Sequence, residues 1–259
     1  MRPVSIITGG GKGIGAAIAR KLANTGHNIV INFSHSQNEA MKTLEECKAY
    51  GIEAIAIKAD ISKKLECKKI VEETIEKFGK ITNLINNSGI TVFADYTDLK
   101  SQSEEAFETI LSVNLMGPFY MAEFSEAYLR ESHGSVVNIS SQAGITGIGS
   151  SIPYAVSKGA LNTLTLALAK SLSPEVRVNA ICPSVVTSTW WDQRFKSDDK
   201  LFAFQKKMAE DSLLQRNVSP EDIAELTSFL TNENKSITGE LLRVNAGSHL
   251  GQAPAKKKI

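Results

Sequence analysis

Short apolar runs recur along this chain about every 20 to 30 residues, each followed by a stretch with helical periodicity, and that alternation leaves few architectures open. The runs lie at residues 4–8, 29–33, 52–59, 84–89, 136–139, 177–182 and 240–245. They are rich in Val and Ile and mostly lack the polar alternation of a strand with one wet face, which predicts burial on both sides. Helices are expected from Ile14 to about Thr25, at 37–50, at 63–78 with Gly79 as the stop, and from about 103 to 130. Others should run onward from Tyr154 and from Ser219, a capping serine before Pro220. Strands joined through helices pair in parallel, so the expected fold is α/β: a doubly wound, seven-stranded parallel sheet with helices on both faces. With 259 residues, 42% of them hydrophobic, and no linker-like stretch, residues 1–250 read as one domain. Residues 251–259, with Lys256, Lys257 and Lys258, read as a disordered polar tail.

Composition excludes several function classes. A formal net charge of +1 argues against a nucleic-acid partner, which calls for a clear basic excess. Cys47, Cys67 and Cys182 are widely separated and have no metal-ligand spacing, so they are expected to be reduced thiols in a cytoplasmic protein with no metal. No apolar stretch approaches the roughly 20 residues that span a bilayer, so no membrane partner is expected. The first strand starts almost at once, leaving no room for a signal peptide.

Chemistry-bearing residues collect at the carboxyl ends of the strands, where open parallel sheets bind ligands. Thr8 leads into Gly9, Gly13 and Gly15, which open the first helix. Free N–H groups and the helix dipole make that turn an anion site suited to a pyrophosphate. Asp60 ends the third strand, and residues 86–89 end the fourth. Asn114 falls within an expected helix despite its indifferent propensity. Ser141 follows the fifth strand; Tyr154 and Lys158 lie one helical turn apart and share a face. A phenol beside an ammonium is expected to have a lowered pKa and to exchange protons near neutrality. Residues 184–215 hold Trp190 and Trp191 and then a charged, helix-like run from Phe195 to Asp211; with Phe195 and Phe202 they are long enough for a lid or substrate wall and suit an aliphatic or ring ketone.

In this order, over residues 4–250, the motifs resemble those of the classical short-chain dehydrogenases/reductases, most of all the 3-oxoacyl-(acyl-carrier-protein) reductases and related bacterial carbonyl reductases. The resemblance implies a Rossmann-type fold and hydride transfer between a nicotinamide and a ketone or secondary alcohol. Asn114, Ser141, Tyr154 and Lys158 match the family's catalytic tetrad. By the resemblance, Tyr154 passes the proton, Ser141 orients the substrate oxygen, Lys158 lowers the tyrosine pKa and binds ribose, and Asn114 holds a water. Thr8, Gly9, Lys12, Gly13, Ile14 and Gly15 match the cofactor turn, and Asp60 with Ile61 the adenine contact. Asn86, Asn87, Ser88 and Gly89 match an Asn-Asn-Ala-Gly motif with Ser for Ala. Pro183, Val186 and Ser188 match the nicotinamide contacts, although Ser184 replaces a usual glycine. Thr187 and Thr189 flank Ser188, leaving the carboxamide ligand open among the three. A homotetramer is also implied, in keeping with the broad apolar surface of the helix after Lys158.

The expected cofactor is NADP(H). An NAD-selective site carries an acid at the end of the second strand; here that position is Phe33, and Asn32, Ser34, His35 and Ser36 add no acid. Lys12 is placed to meet a 2′-phosphate, Ser34 and Ser36 can add hydrogen bonds, and His35 a partial charge below about pH 6.5. A carrier protein is not the expected donor, because Arg130 beside Glu131 makes a poor docking patch for an acidic helix. The alternative, a non-catalytic NADP(H)-binding regulatory protein on the same fold, is disfavoured by the intact tetrad.

Overall fold

In the computed structural model, which describes residues 2–195 and 197–251 (without the side chains of Thr189 and Gln193), seven strands form one parallel sheet. They are β1 (Val4–Ile7), β2 (Asn28–Phe33), β3 (Ala54–Lys58), β4 (Asn83–Asn86), β5 (Ser135–Ile139), β6 (Arg177–Pro183) and β7 (Leu241–Val244). Their order is β3-β2-β1-β4-β5-β6-β7. The chain winds outward from β1 in one direction and from β4 in the other, so a crevice opens at the carboxyl ends of this central pair. Val30 on β2 pairs with Ile6 on β1, and Leu84 on β4 pairs with both Ile6 and Val136 on β5.

Two apolar layers cover the sheet. On one face, α1 (Gly13–Asn24), α2 (Gln37–Lys48) and α9 (Pro220–Ser228) bury Ile18, Leu22, Leu44 and Ile223 against Ile29, Ile31 and Ile85. On the other, α3 (Lys64–Phe78), α5 (Gly117–Glu131) and α7 (Ile152–Ser171) bring Ile70, Met121, Leu129 and Ala169 onto Ile6, Leu84, Val136 and Val178. A buried aliphatic side chain of this size contributes about 1.5–3 kcal/mol, so these layers dominate stability. The expected punctuation is present. Gly79 ends α3 in the left-handed conformation, and Ser219 caps α9 in a reciprocal capping box with Asp222.

Two expectations need correction. The helix expected from about 103 to 130 is three pieces: α4 (Glu104–Leu111), a π-helical turn at Ser112–Met116, and α5. Pro118 lies in the first turn of α5 and has no N–H to continue an α-helical ladder, so the chain widens just before it. In the 184–215 segment, a 3-10 turn at Thr189–Gln193 precedes α8 (Asp198–Glu210), so the helix begins later than the expected 195. The lysines at 256–258 lie outside the described residues. No described helix is long and apolar enough to cross a membrane.

Candidate active site

The glycine turn is built from both sides of the sheet crevice. Thr8 Oγ1, at the end of β1, accepts from the backbone N–H of Asn87 and Ser88 after β4, each at 3.0 Å. Asn87 returns the contact, donating through Nδ2 to Thr8 O at 2.9 Å and Gly9 O at 3.1 Å. Gly15 packs directly under this lattice. A Cβ there would run into Gly9 O and lie 2.6 Å from Asn87 Nδ2. Asn87, expected as a cofactor ligand, is therefore occupied in holding the turn, and its two carbonyl contacts account for both amide protons.

What the turn leaves open fits an anion. No side chain caps α1, its first turn carries no acid, and the N–H groups of Gly13, Ile14 and Gly15 precede any intrahelical partner. Lys12 stands exposed at the cap position and forms no ion pair among the described residues. Ser188 lies across from Gly13, its Cβ 3.8 Å from where a glycine Cβ would project. Thr187 faces away and donates to Val218 O at 3.4 Å. Of the expected hydroxyls whose side chains are described, Ser188 is thus the one beside the turn.

Along β2 and β3, Phe33 is buried in the α1/α2 layer, so its side chain is unavailable to a ligand; Ser34 and His35 just beyond it are bonded to each other at 2.9 Å. Asp60 accepts from the N–H and hydroxyl of Ser62, at 3.0 and 2.8 Å, which orients its carboxylate at the strand end. Ile61 is buried against Gly117. Gly89 meets two of the expected tetrad: a Cβ on it would lie 3.4 Å from Asn114 Oδ1 and 3.5 Å from Lys158 Nζ.

The π-helical turn swings Asn114 fully inward. Its Nδ2 donates to Ile90 O and Ser157 Oγ, both at 3.0 Å, and its Oδ1 accepts from Ile90 N–H at 2.9 Å. The Ile90 N–H takes one Oδ1 lone pair, and Oδ1 and Lys158 Nζ both lie beside Gly89. Lys158, only 4% exposed, donates through Nζ to Ile139 O at the end of β5, at 2.8 Å. Burial pulls its pKa down to about 8, with Cys182 as a smaller opposing influence. Tyr154 lies in the first turn of α7 behind the Ser151 cap, with the Ser141 hydroxyl beside its phenol.

The expected lowering of the Tyr154 pKa does not occur in the protein alone. Burial pushes the phenol up to about 12, opposed only by the nearby Ser141 hydroxyl. The physical reason is placement. The Lys158 ammonium is 5.9 Å from the centre of the tyrosine ring and is bonded to Ile139 O rather than to the phenol oxygen.

The lid covers this group with rings. Trp190 stands 6.0 Å from the Tyr154 ring, centroid to centroid. Trp191 packs on Phe93, from the loop after β4, and on Phe204 from α8, which in turn meets Phe195. Phe202, expected in the aromatic wall, is 68% exposed on the outside of α8; helical geometry turns Phe204 inward instead. Phe93 and Phe204 were missed because neither carries a local signal of its own. No group of three or more His, Cys, Asp or Glu side chains is arranged to hold a metal among the described residues.

Comparison with known proteins places this geometry in a family. Residues 9–249 match the family model described as enoyl-(acyl carrier protein) reductase. The chain is 33% identical over 249 residues to ketoacyl reductase 2, assigned to the granaticin polyketide synthase of Streptomyces violaceoruber, with 96% of each chain covered. It is 31% identical to the 3-oxoacyl-(acyl-carrier-protein) reductase FabG of Staphylococcus epidermidis, covering 96% of this chain and all of that one. A crystal structure assigned as a short-chain dehydrogenase/reductase from Burkholderia xenovorans superposes with a TM-score of 0.89 at 36% identity, over 96% of this chain and 99% of the other. A match across nearly the whole chain, in fold and in sequence, makes this protein a member of the short-chain dehydrogenase/reductase family, an oxidoreductase of carbonyl and alcohol groups that works with a nicotinamide cofactor.

Proposed function

We propose that this protein is an NADPH-dependent carbonyl reductase acting on 3-oxoacyl-like ketones, with Asn114, Ser141, Tyr154 and Lys158 as its catalytic group. The observation that carries the reading is the Tyr154 phenol, beside the Ser141 hydroxyl and one helical turn from the buried Lys158, at the same sheet edge as the open glycine turn. The bound nicotinamide supplies the hydride; the rest is placement and proton handling by the chain. Ser141 donates to the substrate carbonyl oxygen and polarises it. Tyr154, which burial keeps protonated at neutral pH, gives its proton to that oxygen as negative charge develops there. Lys158 stabilises the phenolate left behind and offers its remaining N–H bonds to ribose hydroxyls. Asn114, through its free lone pair, holds a water that returns the proton.

Thr8, Gly9, Lys12, Gly13, Ile14 and Gly15 would cradle the dinucleotide phosphates; Asp60 and Ile61 would flank adenine; Ser88, Gly89, Pro183, Val186 and Ser188 would flank nicotinamide. The named ketoacyl reductases and the aromatic lid support a 3-oxoacyl or ring ketone substrate. A free substrate rather than a carrier-bound one is favoured, since Arg130 is tied to Glu126 and Glu175 and to two backbone carbonyls. Val156 and Leu166 are exposed on α7, as a homotetramer of a cytoplasmic enzyme would require, and light scattering should give a tetrameric mass; a single-chain mass at micromolar concentration overturns the assembly.

The test is NADPH oxidation with a panel of free 3-oxoacyl thioesters and cyclic ketones. Tyr154→Phe should lose about 10²–10⁴-fold in kcat while NADPH still binds. Near-wild-type turnover in the variant removes Tyr154 from the chemistry, and cofactor binding without turnover of any ketone returns the regulatory alternative.

A further inference from the structure

We infer that Tyr96 is a positioning residue for the proton-donating phenol, an inference that rests on the reading of Tyr154 as the acid. Tyr96 lies in the loop after β4, half-buried and far from Tyr154 in sequence. Its hydroxyl is the hub of the turn that precedes α7. It lies 3.0 Å from Gly147 O and 2.9 Å from Ser151 O, and it accepts from the Gly149 N–H at 3.0 Å. One proton is shared between the two carbonyls and one lone pair takes the amide, so the phenol must stay neutral to make all three bonds. Burial raises the Tyr96 pKa, which keeps it in that form.

The turn matters because the catalytic ring rests on it. A Cβ on Gly149 would be 3.1 Å from Tyr154 Cδ1, so the backbone of Gly149 forms the floor of the ring. The side chain of Ser151 accepts from Tyr154 N–H and caps the helix that carries the phenol. Tyr96 thus grips the floor and the cap together. The same loop is closed onto the turn at three further points: Ala94 N–H donates to Ser150 O at 3.1 Å, Thr91 and Ser150 hydroxyls meet, and Gln102 Oε1 accepts from Ile152 N–H at 3.1 Å. Phe93, between these contacts, packs on Trp191 of the lid. A strut therefore runs from the lid through this loop to the phenol. Catalytic geometry is intolerant of shifts of about 1 Å, which can cost about 10²-fold in rate.

Tyr96→Phe keeps the ring and removes the hub. Steady-state kinetics with NADPH and S-acetoacetyl-N-acetylcysteamine, together with backbone hydrogen exchange, test the assignment. We expect kcat about tenfold lower with KM for NADPH within about twofold of wild type. Exchange should rise about tenfold at Gly149 and Tyr154 but not in the β1 or β4 strands. Unchanged kcat, unchanged exchange in the 147–154 segment, or an equal rise across the whole sheet would each overturn the inference. Faster local exchange in the variant of a protein whose wild type reduces no ketone would leave the turn clamp standing and refute the catalytic reading beneath it.

Discussion

In the proposed NADPH-dependent reading, cofactor choice would be divided between Lys12 and Phe33. Phe33 removes the acid that would repel a 2′-phosphate, but it does so from inside the core, so it contributes only an absence of charge. Lys12 is the exposed cation at the open end of α1. A charge-assisted bond to phosphate is worth about 1.5–3 kcal/mol, and exposure places Lys12 toward the lower end. We expect wild type to prefer NADPH in kcat/KM, and Lys12→Ala to lose about tenfold of that preference, less as ionic strength rises. Equal kcat/KM for NADPH and NADH in wild type would overturn the cofactor assignment; an unchanged preference in the variant would move the selectivity elsewhere, to Ser34 and His35. At this scale the candidates Asn114, Ser141, Tyr154 and Lys158 could be named from the sequence, but neither their electrostatics nor the rings of Phe93 and Phe204 could. The pairing of Tyr154 with Lys158 implied a lowered phenol pKa, whereas burial, which no local pattern reports, raised it.

Among the elements, the turn between β1 and α1 is the least forgiving. Helix α1 approaches the strand ends so closely that Gly15 has backbone atoms on two sides: Gly9 O, and Gly10 Cα at 2.9 Å from a would-be Cβ. Backbone cannot swing aside as a flexible side chain can. Gly15→Ala should cost about 1–3 kcal/mol of stability and widen the turn, measurable as a lower Tm together with weakened NADPH binding by fluorescence titration. Wild-type values for both would show that the turn has slack. Element order and type followed from the spacing of apolar runs and from caps such as Ser219 and Gly79. The break at Ser112–Met116 was half-written in the sequence. Pro118 announces a discontinuity, but the π-helical widening that turns Asn114 inward depends on packing against Ile90 and Ser157 from other parts of the chain.

For the whole molecule, a polar thread at the amino ends of the strands ties the two halves of the sheet. Ser5 on β1 bonds His27 Nδ1 and receives Asn83 Nδ2 from β4; Asn83 accepts from Ser135 on β5; His27 Nε2 meets Asn232 beyond α9. Burial lowers the His27 pKa, and the Asn232 bond only partly opposes it. The folded protein thus binds a proton here less readily than the unfolded chain, whose histidines titrate near about pH 6.5. Stability from this source is complete above that value and is lost as pH falls below it toward the folded pKa. We expect the Tm of wild type to fall from pH 7 to pH 5 more steeply than that of His27→Gln; parallel curves would clear His27. Residues distant in sequence meet here, and the same holds for the lid. Trp190 reaches Tyr154, and Phe93 reaches Trp191, through contacts that no periodicity encodes. The sequence by itself determined the alternation, the parallel sheet and the glycine turn that opens α1, because each depends on neighbours a few positions away along the chain. Only the tertiary structure decided that Ser188 rather than Thr187 lies beside the turn, which aromatic rings pack in the lid, that the Asn87 amide braces the glycine turn, and how strongly Tyr154 holds its proton, because those depend on burial and on partners brought together by the fold.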